Sequence, residues 1–395
     1  MINELYHAID DIKAQLHDIS DFIHTHPELA LEEVQAHEKL TSALHDFGHH
    51  SVGVIHDDFP TSFLAEEVFG DGTGKVFAFF SEYDALKGIG HACGHNLIAV
   101  SGLAAFHLAV TYLRKHHPEF NGKVLLLGTP AEESYSAKSA LAKRGCFKNI
   151  DASIISHPCD LTSMDPGALS VIHVRVNFHG RASHAGMAPE KGINALTSMV
   201  ALFQMIGTWR QQLPEACRVH GIITHGGDAP NVIPDFTSAF IYLRAPDSPT
   251  AQAMEERFRA MVDGAAACTG CTAEVILEGN SADACLVNSI FNQAYREGME
   301  SFGETVKFAT GKEGRISTDY GNVTQLMPGC NVHFGICGKA GVSLHTQELK
   351  EAAATDYGFE QAMKCAAVMA QIGIRYLTEE SFRTQADAEY QQNKA

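Results

Sequence analysis

Cys93 and His95 stand two residues apart in the segment Gly88-Ile89-Gly90-His91-Ala92-Cys93-Gly94-His95-Asn96. A thiolate and an imidazole at that spacing, on a glycine-rich loop, can both reach one metal centre. Cysteine is also among the most buried residue types, so the pair alone fits a buried thiol beside a loop histidine equally well. A second candidate is Glu132-Glu133, which follows Pro130-Ala131. Adjacent carboxylates usually mark a solvated loop tip. On an extended segment, however, neighbouring side chains point opposite ways, so one could bind metal while the other faces a substrate. His157, in Ser156-His157-Pro158, and His345, in Leu344-His345-Thr346, each read alone as structural. Four such sites sharing metal-ligand types are hard to assign to accident.

The first three of these sites follow short apolar runs. Lys75 to Phe80, Lys123 to Leu127 and Ala152 to Ser156 are rich in β-formers and read as buried strands. Helical patterns fall between them, near 97–115 and 137–143, and earlier near 2–23 and 28–47. Strand, loop and helix repeated in this way predict an α/β sheet with helices on both faces. Ligands in such sheets bind just past the strand ends. From about residue 168 the texture changes. Strands near 168–178, 218–224, 237–244 and 272–277, with helices near 193–212 and 250–267, give the order β-α-β-β-α-β of a small α+β insert. The expected organisation is a catalytic domain of residues 1–168 and 286–395, closed by a long helix near 351–377, with an insert of residues 169–285.

The bulk numbers suit that plan. A chain of 395 residues is long for a single core, and 45% hydrophobic with 19% charged residues is a globular balance. A net charge of −18 argues against a nucleic-acid partner and against anionic membrane surfaces. The start, Met1-Ile2-Asn3-Glu4, lacks a basic-then-apolar leader, and no apolar run of membrane-crossing length is expected. Ten scattered cysteines, Cys268 and Cys271 among them, read as reduced thiols of a cytoplasmic protein. His24 and His26 read as structural, and the pairs His49-His50 and His116-His117 as facing solvent.

The strings Glu82-Tyr83-Asp84-Ala85-Leu86 and Gly90-His91-Ala92-Cys93-Gly94-His95-Asn96 resemble the amidohydrolase subgroup of metallopeptidase family 20. His26-Pro27-Glu28-Leu29, Ser183-His184-Ala185-Gly186, Asn231-Val232-Ile233-Pro234 and Ser317-Thr318-Asp319-Tyr320-Gly321 match as well, so the likeness spans nearly the whole chain. It implies a mixed-sheet α/β/α metallopeptidase catalytic domain with an inserted ferredoxin-like α+β dimerisation or lid domain. It also implies two divalent ions (Zn²⁺ or Mn²⁺, with Co²⁺ also suitable), a homodimer and a small-molecule amide substrate. Residue by residue, Cys93 resembles a bridging metal ligand, and His95, Glu133, His157 and His345 the remaining ligands. Glu132 resembles the general base, Asp84 the acid that orients the metal shell, and His184 the insert histidine that reaches a neighbouring active site in dimers, where it is expected to donate a hydrogen bond to the oxyanion. Asn231 and Arg244 resemble substrate-binding positions. Two positions depart from common patterns: Glu82 stands where many relatives outside the subgroup have a ligand histidine, and Asn96 where many members have aspartate.

The expected reaction is hydrolysis of a dipeptide, N-acyl amino acid or aminobenzoyl-glutamate-like amide by metal-bound water. Alternatives are removal of an aromatic amine at the same site, a catalytically silent metal-binding protein, and a cysteine hydrolase built on Cys93 and His95. Retention of Glu132 beside Glu133 speaks against a silent site. The cysteine reading lacks an orienting partner and leaves the other candidate ligands unused.

Overall fold

A computed structural model describes residues 1–308 and 317–394. The chain divides into two compact units. One is Met1–Gly167 with the segments that begin at Cys285 and at Asp319; the other is Ala168–Ala284 with Ser317 and Thr318.

The first unit is built on a six-stranded mixed sheet in the order β1-β2-β4-β3-β5-β10. The strands are β1 (Val52–Gly53), β2 (Phe63–Phe69), β3 (Lys75–Ser81), β4 (Gly122–Gly128), β5 (Ala152–Cys159) and β10 (Gly329–Gly335). β3, β4, β5 and β10 run parallel, while β2 joins β4 antiparallel and carries β1 at the edge. Alternate residues of one strand feed two different cores. Phe77 and Phe79 of β3, with Val124 and Leu126 of β4, pack into one cluster. Val76, Ala78 and Phe80, with Leu125 and Leu127, pack into the other. Both faces are covered, which is why these strands read as unbroken apolar runs.

Helices α1 (Ile2–Ala8), α2 (Lys13–Thr25), α3 (Val34–Asp46), α4 (His95–His116), α8 (Ser289–Ser301) and α11 (Asp356–Thr378) supply residues to the first cluster. α5 (Ala137–Lys143) and α9 (Tyr320–Thr324) supply the second. α10 (Gln347–Ala352) follows His345, and α12 (Glu380–Lys394) ends the described chain. Contrary to expectation, α4 is long and apolar enough, by length and composition, to cross a membrane; 83% of its apolar window is buried inside the fold. It contacts β3, β4 and β5 on one side and α2 and α11 on others, so it has no polar face to keep. Gly102 permits this approach, since a Cβ there would lie 2.4 Å from the Phe80 carbonyl oxygen.

Other departures have physical causes. β5 continues through His157 and Pro158, where the sequence pattern suggests that the strand has ended. β3 pairs with β5 only as far as Ile154, so Pro158 lies where that flank is no longer paired. The strand β2 and the final helix α12 were not expected; β2 carries the adjacent acids Glu66 and Glu67, which break its alternation. His49 is not solvent-facing. It is 2% exposed, with Nδ1 2.6 Å from Glu67 and Nε2 3.0 Å from His107.

The second unit runs β6 (Ser170–His179), α6 (Ala195–Trp209), β7 (Arg218–His225), β8 (Phe236–Ala245), α7 (Ser248–Thr269), β9 (Thr272–Leu277). Its antiparallel sheet has the order β7-β8-β6-β9, the ferredoxin-like arrangement. Val174, Val176 and Phe178 of β6 and Ala239, Ile241 and Leu243 of β8 pack with Met199, Leu202, Phe258 and Val262 of the two helices. The intervening residues, His173, Arg175, Phe240, Tyr242 and Arg244, take the opposite face. Asn194 caps α6 by accepting from the Leu196 and Thr197 N–H groups, and Asp247 caps α7 through Thr250.

Candidate metal centre

The loops after β3 and β4, the β5 strand and the segment before α10 bring their side chains together in the first unit. His95 is the first residue of α4. The residue before it, Gly94, has φ +68°, and a Cβ there would lie 2.5 Å from Pro158 Cγ. Both the backbone and the packing therefore require glycine at the point that launches the ligand. His95 Nδ1 lies 3.0 Å from Asp84 Oδ1, and the other Asp84 oxygen accepts the Glu133 N–H at 2.9 Å. With Nδ1 turned to Asp84, Nε2 is the nitrogen that faces inward; against the effect of burial, Asp84 raises the proton affinity of the ring, so a cation would bind Nε2 by displacing a proton. His157 is oriented in the same way by Asn331 of β10, whose Oδ1 lies 2.8 Å from His157 Nδ1.

Inward of these, Glu82 Oε2 lies 3.2 Å from His157 Nε2 and 3.6 Å from His95 Nε2. Glu133 Oε1 is 3.6 Å from His95 Nε2, and Glu133 Oε2 is 3.5 Å from His345 Nε2. Three overlapping groups have donor atoms within 4.8 Å of one another: Glu82, His95 and His157; His95, Glu132 and Glu133; Cys93, Glu133 and His345. His95 and Glu133 each belong to two groups, whereas Cys93 belongs to one. The three groups therefore form one continuous set of donors.

The donors fit divalent cations. Glu82 Oε2, His95 Nε2 and Glu133 Oε1 are buried and have no hydrogen-bond partner, an expensive condition for groups that could ligate. Burial, Glu82 and Glu133 push the Glu132 carboxyl far above the usual carboxylate range. Burial also raises Glu133, and burial with the Glu133 charge raises the Cys93 thiol. Glu82 behaves differently: burial would raise it, but Lys138, His157 and His95 hold it well below its ordinary value. Asp84 is also lowered, His95 outweighing the effect of burial. Five acidic side chains (Glu82, Asp84, Glu132, Glu133, Asp319) thus crowd around few cationic partners, and bound cations would relieve the repulsion.

The sequence-derived residues Cys93, His95, Glu132, Glu133, His157, His345 and Asp84 all belong to this unit, and each either enters one of the three groups or holds a member of them. The expectation that Glu132 and Glu133 point opposite ways fails. Residues 132–135 form a turn after Ala131, whose φ is +59°, and both carboxylates come within reach of His95. His184, Asn231 and Arg244 belong to the second unit. His184 is exposed and its backbone bridges to Val232, while the Asn231 carbonyl accepts the Ala185 N–H at 2.9 Å. Ala185, Gly227, Pro230 and Val232 line a cleft of about 380 Å³ beside them. Arg244 donates to Ser317 Oγ at 2.7 Å and to His220 Nε2 at 3.1 Å. Sequence reasoning assigned no role to Glu82, Asn331, Lys138 or Asp319. Glu82 and Asp319 lay within the family-like strings, and Lys138 stood out as a charge among the small and apolar residues of Ala137-Lys138-Ser139-Ala140-Leu141; Asn331 carried no such signal.

Thiol, imidazole and carboxylate donors at the carboxyl ends of a mixed α/β sheet, with a ferredoxin-like insert, define a metal-dependent amide hydrolase of the peptidase type. Residues 167–267 match the peptidase dimerisation domain of the M20 family. The chain is 34% identical to the Xaa-Arg dipeptidase of Mus musculus, across 93% of this chain and 86% of that protein. It is 26% identical to one of the subunits of p-aminobenzoyl-glutamate hydrolase from Escherichia coli K12, across 99% of this chain and 96% of that one. Among solved structures it resembles a dinuclear metal-binding M20 peptidase of Bacillus subtilis, with a TM-score of 0.64 at 20% identity, covering 90% of this chain and 98% of that one. The chain belongs to the M20 peptidase family.

Proposed function

We propose that this protein hydrolyses the amide bond of a dipeptide or N-acyl amino acid, including aminobenzoyl-glutamate-like substrates, at a centre holding two divalent cations. Cys93, His95, Glu133, His157 and His345 would hold them, with Glu82 adding an oxygen between His95 and His157. Cations held there would supply Lewis acidity toward water and the amide carbonyl. Glu132 removes the proton from the attacking water and returns it to the leaving nitrogen. Its carboxyl is partly buried beside Glu82 and Glu133, and desolvation together with these charges raises its proton affinity, which suits a shuttle. His184 donates a hydrogen bond to the developing oxyanion, and Asn231 and Arg244 take the carboxylate end of the substrate. The substrate class is supported by the named activities of the two curated relatives.

The imidazole and thiol donors suit zinc, and the acidic wall extends the choice to manganese. A homodimer through the insert is supported by the dimerisation-domain match and by β7, a sheet-edge strand whose Ile222 is 64% exposed. A cytoplasmic setting is supported by ten free cysteines.

The observation that carries the reading is the convergence of donors from four separate segments beside Glu132, of which Glu82 Oε2, His95 Nε2 and Glu133 Oε1 are buried without a hydrogen-bond partner. Its test is Glu132→Gln, assayed on Xaa-Arg dipeptides, p-aminobenzoyl-glutamate and N-acyl amino acids. Turnover should fall by about 10²- to 10⁴-fold with metal content intact. A variant with normal turnover removes Glu132 from the reaction.

A further inference from the structure

Lys138 lies on α5 with its side chain fully buried, and its ammonium has no route to water. Asp319 holds it at two points: Oδ1 accepts from Nζ at 2.7 Å, and Oδ2 accepts the Lys138 backbone N–H at 2.8 Å. This double hold fixes where the ammonium sits. On its other side Nζ is 2.6 Å from Glu82 Oε1. Glu82 is therefore divided between two neighbours. One oxygen is in ion-pair contact with Lys138, which donates its hydrogen bond to Asp319, and the other faces the Nε2 atoms of His157 and His95.

Burying an ammonium costs several kcal/mol before its partners offset it. A helix that needed only to pack would be served as well by methionine or leucine at this position. The lysine also acts on the centre without touching its reacting atoms. A carboxylate with one oxygen in an ion pair offers a cation a single donor and less negative charge. Zinc is content with four donors and tolerates imidazole and thiolate, whereas manganese favours more oxygen donors in an octahedral shell.

We propose that Lys138 is a positioning residue that sets the metal preference of the centre: by claiming Oε1 of Glu82 it restricts that carboxylate to one donor oxygen at the His95–His157 position and biases the site toward zinc over manganese. The inference rests on the reading of these residues as a metal centre. Releasing Glu82 would add a second oxygen and more negative charge, which benefits manganese more than zinc. Asp319 moderates the effect by sharing the ammonium.

The test uses the full-length chain, stripped with chelator and titrated with Zn²⁺ and Mn²⁺ in competition, with the visible spectrum of the Co²⁺-loaded form as a second readout. Lys138→Met should raise the manganese-to-zinc affinity ratio by about tenfold, within the range that groups behind metal ligands command. It should also weaken the Co²⁺ absorption, because a higher coordination number gives weaker bands. In a Glu82→Gln background the same substitution should shift the ratio by less than about twofold, since the lysine acts through Glu82. A folded Lys138→Met protein with an unchanged ratio and spectrum overturns the proposal, as does a full shift in the Glu82→Gln background. If Lys138→Met does not fold, Asp319→Asn decides. It leaves the whole ammonium charge to Glu82 and should move the ratio toward zinc; no movement, or movement toward manganese, overturns the proposal. Native protein that binds neither metal overturns the metal reading itself, a separate result from an unmoved ratio in a protein that binds both.

Discussion

In the sheet of the first unit both faces are covered, and β3 and β4 place apolar side chains into a core on either side. Polar chemistry collects at and beyond the strand ends, where Glu82 and Asp84 are buried and Glu132 is partly buried beside them. The sheet of the insert buries one face, so His173, Tyr242 and Arg244 alternate with core residues along the strands themselves. Arg244 there is partly exposed and hydrogen-bonds to neutral groups. One sheet concentrates charge at a point, which suits cations and bond cleavage. The other spreads polar and aromatic groups over a surface, which suits reading the shape and charge of a substrate.

That contrast can be broken by experiment. The largest effect on metal binding is expected from Asn331→Ala, which removes the group orienting His157 and should weaken that binding by about 10- to 100-fold in a competition titration. Equal metal loss from His220→Ala in the insert would erase the distinction between the sheets. Gly94→Ala should destabilise the first unit by roughly 3 kcal/mol in denaturant unfolding, through its positive φ and the overlap with Pro158. A neutral result would mean that the ligand loop is more plastic than its packing indicates. Arg244→Lys should raise KM for carboxylate-bearing substrates by about tenfold while metal content stays fixed. An unchanged KM assigns the arginine to structure alone. The smallest effect concerns His107, away from both sites, whose pKa is lowered to about 4 by burial, His49 and Arg114. A histidine depressed in the fold contributes stability that is present above its ordinary value near 6.5 and lost as pH falls toward about 4. His107→Gln should flatten the stability curve across that window by about 1–2 kcal/mol; an unaltered slope would place the pH response in other groups.

Much of the architecture was legible because burial on both faces leaves an unmistakable mark. Lys75–Ser81 and Gly122–Gly128 are apolar nearly throughout, and β6 and β8 of the insert send alternate residues into its core as a half-buried sheet should. The converging donor residues were legible because their types are chemically unusual at strand ends and occur in family-like strings. What escaped depends on encounters distant in sequence. Lys138 and Asp319 are 181 residues apart, and neither carries a local sign of the other. His49 looked like half of an exposed pair because Glu67 and His107, which enclose it, lie 18 and 58 residues away. The turn at Glu132-Glu133 depends on a positive φ at Ala131, which no alanine advertises.

The helix α4 has a consequence for the birth of the molecule. It is emitted from the ribosome early, yet one of its coverings, α11, lies beyond the entire insert. For most of synthesis this nascent segment is a greasy rod with one flank bare, a natural client for chaperones. His95 stands at the tip of that rod, so the cation cage cannot settle until the carboxyl-terminal part of the chain has emerged to wrap it.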